Sequence, residues 1–162
     1  MNIKRRLDVM KQVEDANARS IARWKKNDGK VQALLVDVYG TGRVKKVRVK
    51  PELDEYYRLL GCTTIDMPLR WIGGKLFLIV CDDEALFRSD CKPSAVNGRK
   101  IMLYGNLLVM AYDGEENERG LTDAEVDHLC KHVRGLARMA EKGRIDVWAV
   151  LNDVTYRRRV DP

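Results

Sequence analysis

The spacing of apolar positions changes character several times along the chain. Over residues 2–26 apolar side chains fall at Ile3, Leu7, Met10, Val13, Ile21 and Trp24, mostly three or four apart, before Asn27-Asp28-Gly29. That spacing predicts a helix with a narrow apolar stripe and a defined stop. From Val31 the rhythm becomes that of strands. "VQALLVDV", "YGTG" and "RVKKVRV" follow one another, which predicts a β-hairpin with glycines able to take positive φ at the turn. "PELDEYYRLLG" predicts a short helix opened by Pro51, with Leu53, Tyr56, Tyr57 and Leu60 on one face and Gly61 as its C-cap. Strand-like runs follow at 62–67, 69–72 and, after Gly73-Gly74, at 75–81.

"RKIMLYGNLLVMAYDG" predicts a second hairpin, with Gly105-Asn106 at its bend or bulge. The strongest helical signal is "LTDAEVDHLCKHVRGLARMAEKG". Thr122 and Glu125 form a capping box, Val126, Leu129, Cys130, Val133, Leu136, Ala137 and Ala140 form a broad stripe, and Gly143 ends it. "RIDVWAVLNDVTYRRR" reads as a closing strand. Together these elements predict an α+β fold: a mostly antiparallel sheet with a long N-terminal helix and a long helix near 122–142 packed on it. The expected organisation is a basic helix over 1–28 and an α+β domain over 31–162.

Charge changes this picture because it is uneven. Residues 1–30 hold nine Lys or Arg against four acids, so they carry +5 of the chain's net +6. A second basic run lies at 43–50 and a third at 156–160, opposed by acids at Asp82–Glu84 and in "DGEENE" at 113–118. No apolar run approaches the roughly 18 residues of a membrane span, and no apolar segment follows Lys4-Arg5-Arg6 as a secretory leader requires. A cytoplasmic location is expected, that of the host cell if the gene is phage-borne, with no membrane partner. Cys62, Cys81, Cys91 and Cys130 show no CxxC spacing, and in a reducing compartment they read as free, mostly buried thiols.

Few positions suit catalysis. "LFLIVCDDEALFRSDC" brings carboxylates and thiols to a strand end, but successive side chains of a strand point to opposite faces. A magnesium or calcium site would need Asp113, Glu115 or Glu116 to join Asp82 and Asp83. His128 and His132 stand at i and i+4, a metal-compatible spacing on a helix that lacks the glutamate of HExxH and a third ligand. A solvated turn and surface histidines are the plainer readings, and no catalytic residue, metal or cofactor is assigned. "GTGRVKK" departs from a P-loop in its spacing and in lacking a Ser or Thr after the lysine.

From Ala33 to Val133 the chain resembles an uncharacterised family of phages and bacterial mobile elements, a "domain of unknown function" group. The resemblance rests on "ALLVDVYGTGRVKKVRV", "LFLIVCDDEA", "YGNLLVMAYDGE" and "LTDAEVDHL". It implies a small α+β protein encoded near anti-restriction and other accessory genes, and brings no catalytic residues. The basic first helix and the arginine-rich ending depart from the family pattern.

The function expected is that of a non-enzymatic accessory protein that binds, and by binding inhibits, a host macromolecule. A host protein is the expected partner, held through the basic N-terminal helix and the neighbouring strand. The contacts are assigned to Arg5, Arg6, Arg19, Arg23, Lys25, Lys45, Lys46 and Arg48, with Trp24 as apolar anchor. The alternative is nucleic acid or a nucleotide on the same face. A homo-oligomer formed through the first helix is a further arrangement, and a metal-dependent enzyme ranks third.

Overall fold

The structure, a computed structural model, describes residues 29–115 and 117–156. The described residues from Val31 onward belong to one compact unit. The expected N-terminal helix lies outside the described residues.

The first hairpin pairs β1 (Val31–Asp37) with β2 (Arg43–Val49), in register from Val31↔Val49 to Asp37↔Arg43. After α1 (Leu53–Leu60), Gly61 takes φ 64° and closes the helix. Then come β3 (Ile65–Asp66), β4 (Leu69–Ile72) and β5 (Lys75–Asp82). The chain continues through β6 (Pro93–Asn97), β7 (Lys100–Tyr104), β8 (Leu107–Tyr112) and β9 (Glu118–Arg119). It ends with α2 (Asp123–Cys130), β10 (Val133–Met139), β11 (Ile145–Leu151) and β12 (Val154–Thr155).

These strands build two sheets. The larger runs β12-β4-β5-β8-β1-β2, with β3 added on β5 and β9 on β8; the smaller runs β10-β11-β6-β7. β1, β5 and β8 are central strands covered on both faces, which is why "ALLV", "LFLIVC" and "LLVMA" are continuously apolar instead of alternating. One core lies between the sheets: Leu34, Val36, Phe77, Ile79, Leu107 and Val109 meet Ala95, Val96, Trp148 and Val150, with Val126 and Leu129 of α2 at its side. A second core, on the other face of the larger sheet, gathers Leu35, Leu78, Val80, Leu108 and Met110 around Tyr56 and Leu60 of α1.

The fold is therefore mostly β, not the helix-packed α+β fold expected. Two elements account for the difference. The helix expected near 122–142 forms its capping box, with Glu125 N–H donating to Thr122 Oγ1 at 3.1 Å and Thr122 N–H to the Glu125 carboxylate at 2.9 Å. It then stops at Cys130, and Val133–Met139 become a strand paired with β11. Gly135 costs a helix about 1 kcal/mol relative to Ala, while the β-branched run "IDVWAV" offers a ladder, so tertiary pairing overrides the helical spacing. The hairpin expected across Gly105-Asn106 is likewise absent: β7 pairs with β6 in the smaller sheet and β8 with β5 and β1 in the larger. Gly105, at φ 79°, turns the chain from one sheet into the other. Among the described residues no helix is long and apolar enough to cross a membrane.

Candidate functional site

The acidic strand end at Asp82–Glu84 is a closed local structure. Asp82 accepts the Glu84 N–H at 2.9 Å, and Asp113 accepts those of Glu115 and Asn117. β5 and β8 run antiparallel with Cys81 opposite Leu107 and Phe77 opposite Ala111. Asp82 and Asp113 thus sit at opposite ends of the pair, about 20 Å apart at the rise of a strand, and cannot share an ion. All four cysteines are free, but only Cys81 is buried; Cys130, expected on the apolar stripe, is exposed. Burial first, then the carboxylate of Asp66, pushes the Cys81 thiol up to about 12, so it stays protonated and unreactive at neutral pH.

The two histidines do meet, although α2 ends between them. Their ring centroids are 5.0 Å apart. His128 Nε2 lies 2.8 Å from the Ile72 carbonyl and donates to it; His132 Nδ1 lies 2.7 Å from Asp153 Oδ2. The His132 ring covers Gly73, where a Cβ would overlap it and where φ is +56°. The first bond ties α2 to the end of β4, and the second ties the start of β10 to the β11–β12 connection. Among the described residues no group of three His, Cys, Asp or Glu side chains converges as metal ligands.

Of the residues assigned to partner binding, Arg5, Arg6, Arg19, Arg23, Trp24 and Lys25 lie outside the described residues. Lys45, Lys46 and Arg48 are exposed on β2, the edge of the larger sheet. The pleat separates them: Lys46 pairs across from Leu34 and Arg48 from Gln32 on one face, while Lys45 pairs across from Leu35 on the other. Lys45 also faces Asp37 at 3.7 Å. Asp37 accepts the N–H groups of Gly40 and Thr41, the Thr41 hydroxyl and Asn106 Nδ2 at 2.9–3.1 Å. Burial alone would raise its pKa, but the Thr41 and Gly40 N–H groups, the Thr41 hydroxyl and Lys45 outweigh that and hold it below the ordinary carboxylate value. Asn106 Oδ1 accepts the Tyr39 N–H at 3.1 Å, so "VDVYGTG" and "YGN", far apart in sequence, meet as one structural corner.

The surface that composition did not disclose is the β10–β11 hairpin. Its inner face is anchored. Trp148 is buried, its Nε1–H donates to the Pro93 carbonyl at 2.8 Å, Leu136 stands across from it, and Lys92 and Arg138 lie over its ring at 5.0 and 5.3 Å. Among the described residues nothing covers the outer face. Met139, Ile145 and Val147 are 73%, 67% and 63% exposed, and the register places Met139 across from Ile145, Ala137 across from Val147 and Gly135 across from Ala149. Period-two reading of "RIDVWAVL" as a strand would have shown Ile145 and Val147 opposite Trp148 in phase; reading 133–139 as helix hid the neighbours that make them a patch. At the β5–β6 connection Leu86 and Phe87 are also exposed, Phe87 at 87%. Comparison of the chain with protein-family models, with curated proteins and with solved structures finds no match.

Proposed function

We propose that this is a non-enzymatic accessory protein, of the phage or mobile-element kind that its sequence resembles, which binds a host protein and acts by occupying it. The observation that supports protein binding is the outer face of the β10–β11 hairpin: three large apolar side chains side by side on two strands, exposed, beside small residues that leave the sheet surface open. Contiguous exposed apolar surface of this kind marks protein contact more than nucleic-acid contact, which is dominated by phosphate neutralisation. In this reading the basic N-terminal helix, with Trp24 as anchor, supplies a further contact and the positive charge that steers an acidic partner. The nucleic-acid alternative keeps one supporting feature, Lys46 and Arg48 on a common face of β2. It loses Lys45, which points to the opposite face beside Asp37.

The test is capture from a host lysate on the full chain, with and without nuclease. A protein should be retained after nuclease and at moderate salt, and Trp24→Ala and Val147→Lys should each weaken retention at least tenfold. Material lost on nuclease treatment, with affinity falling steeply as salt rises, overturns the proposal in favour of nucleic acid.

A further inference from the structure

We infer that β10 accepts an extended, acidic segment of the partner as an added strand, so that the smaller sheet grows by one strand when the protein binds. The inference rests on the protein-binding reading above and specifies its mode.

Among the described residues β10 is the outer strand of its sheet. Asn152 N–H donates to the His132 carbonyl at 2.7 Å and Ala140 N–H to that of Arg144 at 2.8 Å. In an antiparallel ladder hydrogen-bonded pairs alternate with non-bonded ones. Those two flanking bonds therefore assign the even-numbered residues Arg134, Leu136 and Arg138 to bonding with β11. Val133, Gly135, Ala137 and Met139 turn their N–H and C=O groups outward, away from β11. Such a row of backbone groups is a template for another strand.

Natural edges are commonly blunted by long charged side chains, and β10 carries two arginines. Both are drawn back over their own sheet: Arg134 donates to the Gly98 carbonyl at 2.8 Å and Arg138 to that of Cys91 at 3.3 Å. Among the described residues the edge is left clear. Gly135 adds a second feature, since a Cβ there would meet nothing within 4 Å. No crowding among the described residues requires a glycine at that point, and a glycine inside a strand is a place where a foreign backbone or a bulky side chain can come close.

Charge selects the occupant. Between residues 131 and 144 stand Lys131, Arg134, Arg138, Lys142 and Arg144 against the single carboxylate of Glu141. None of these five cations is in an ion pair with a described carboxylate. A second copy of β10 suits this edge less well than an acidic strand does, since it brings two further arginines to a basic edge. Centred on Leu136, a two-fold antiparallel pairing would set Arg134 opposite Arg138 twice, and like charges opposite one another destabilise a ladder. The matching strand has acidic residues opposite Arg134 and Arg138 and apolar residues opposite Gly135, Ala137 and Met139, the largest over Gly135.

The probe is a blocked heptapeptide of that pattern, Val-Glu-Val-Leu-Phe-Glu-Thr, added to the full chain. Binding should slow amide hydrogen exchange at Gly135, Ala137 and Met139 at least tenfold. N-methylation of its third and fifth residues, whose N–H groups face β10, should weaken binding at least tenfold, and so should lysine in place of both glutamates. Ala137→Pro removes one outward N–H and no bond to β11, and should abolish binding. Where its thermal midpoint falls, Val147→Lys serves instead, removing apolar surface without touching the backbone. Unchanged exchange at the three amides, or equal binding of the N-methylated peptide, overturns strand addition. So does a dimer of the chain alone whose outward amides are already protected. A lysate partner that is lost with Val147→Lys but kept by a folded Ala137→Pro leaves the protein-binding reading intact while removing this one.

Discussion

β2 and β10 are both edge strands of seven residues, and they handle the exposure of an edge in opposite ways. β2, "RVKKVRV", projects Lys46 and Arg48 on one face and Lys45 on the other, all exposed. A strand that approached it would have to bury or displace ammonium and guanidinium groups on both sides, which is an effective block to pairing. β10, "VRGLARM", has an outer face of glycine, alanine and methionine, and its two arginines are tied to carbonyls across the sheet. A basic segment, then, need not be the binding segment. On β2 the charge keeps neighbours off; around β10 it surrounds an edge that is open.

Four substitutions sharpen or break this contrast, in order of expected effect. Trp148→Ala should be the most damaging, because the buried indole anchors the inner face of the hairpin whose outer face is bare; about 3–5 kcal/mol of unfolding free energy should be lost in urea titration. Asp37→Ala should cost about 1–3 kcal/mol, since it strands the N–H groups of Gly40 and Thr41 at the end of the β1–β2 hairpin. Because the folded pKa of Asp37 lies below its unfolded value, its contribution is present above about pH 4 and is lost as pH falls through the lower, folded value. The wild-type protein should thus lose more stability between about pH 5 and pH 2 than the alanine variant does. Lys45→Ala should cost less than about 1 kcal/mol, as its ion pair is half exposed. Val147→Lys should stay within about 0.5 kcal/mol of wild type while impairing partner capture; a large stability loss there would show that the outer face belongs to the core after all.

Local signals were legible in the sequence where the chemistry is local. The YGTG turn, the Gly61 cap, the Gly73-Gly74 turn and the Thr122–Glu125 capping box each depend on residues within a few positions, and each is found where the residue types placed it. What failed depended on distant partners. Val133, Leu136 and Ala140 fit a helical stripe as well as a strand, and only β11, lying after them in the chain, decides for the strand. Gly105-Asn106 has the composition of a hairpin bend, but the partners of β7 and β8 are strands elsewhere in the chain, so the same residues become a corner between sheets. The candidate surface was obscured for the same reason: Met139 and Ile145 become neighbours only once β10 is a strand.

The bond from Asn106 to Asp37 closes a loop of 69 residues. β1 cannot acquire its inner neighbour β8 until that much more of the chain exists, and at a synthesis rate of about 5–20 residues per second the wait lasts several seconds. A two-stranded hairpin alone is marginally stable in water, so in that interval the apolar flank of β1 lacks the strand that covers it in the finished fold. The lysines and arginines of β2 lie beside β1, and charged neighbours of an apolar strand oppose its aggregation before the fold is complete.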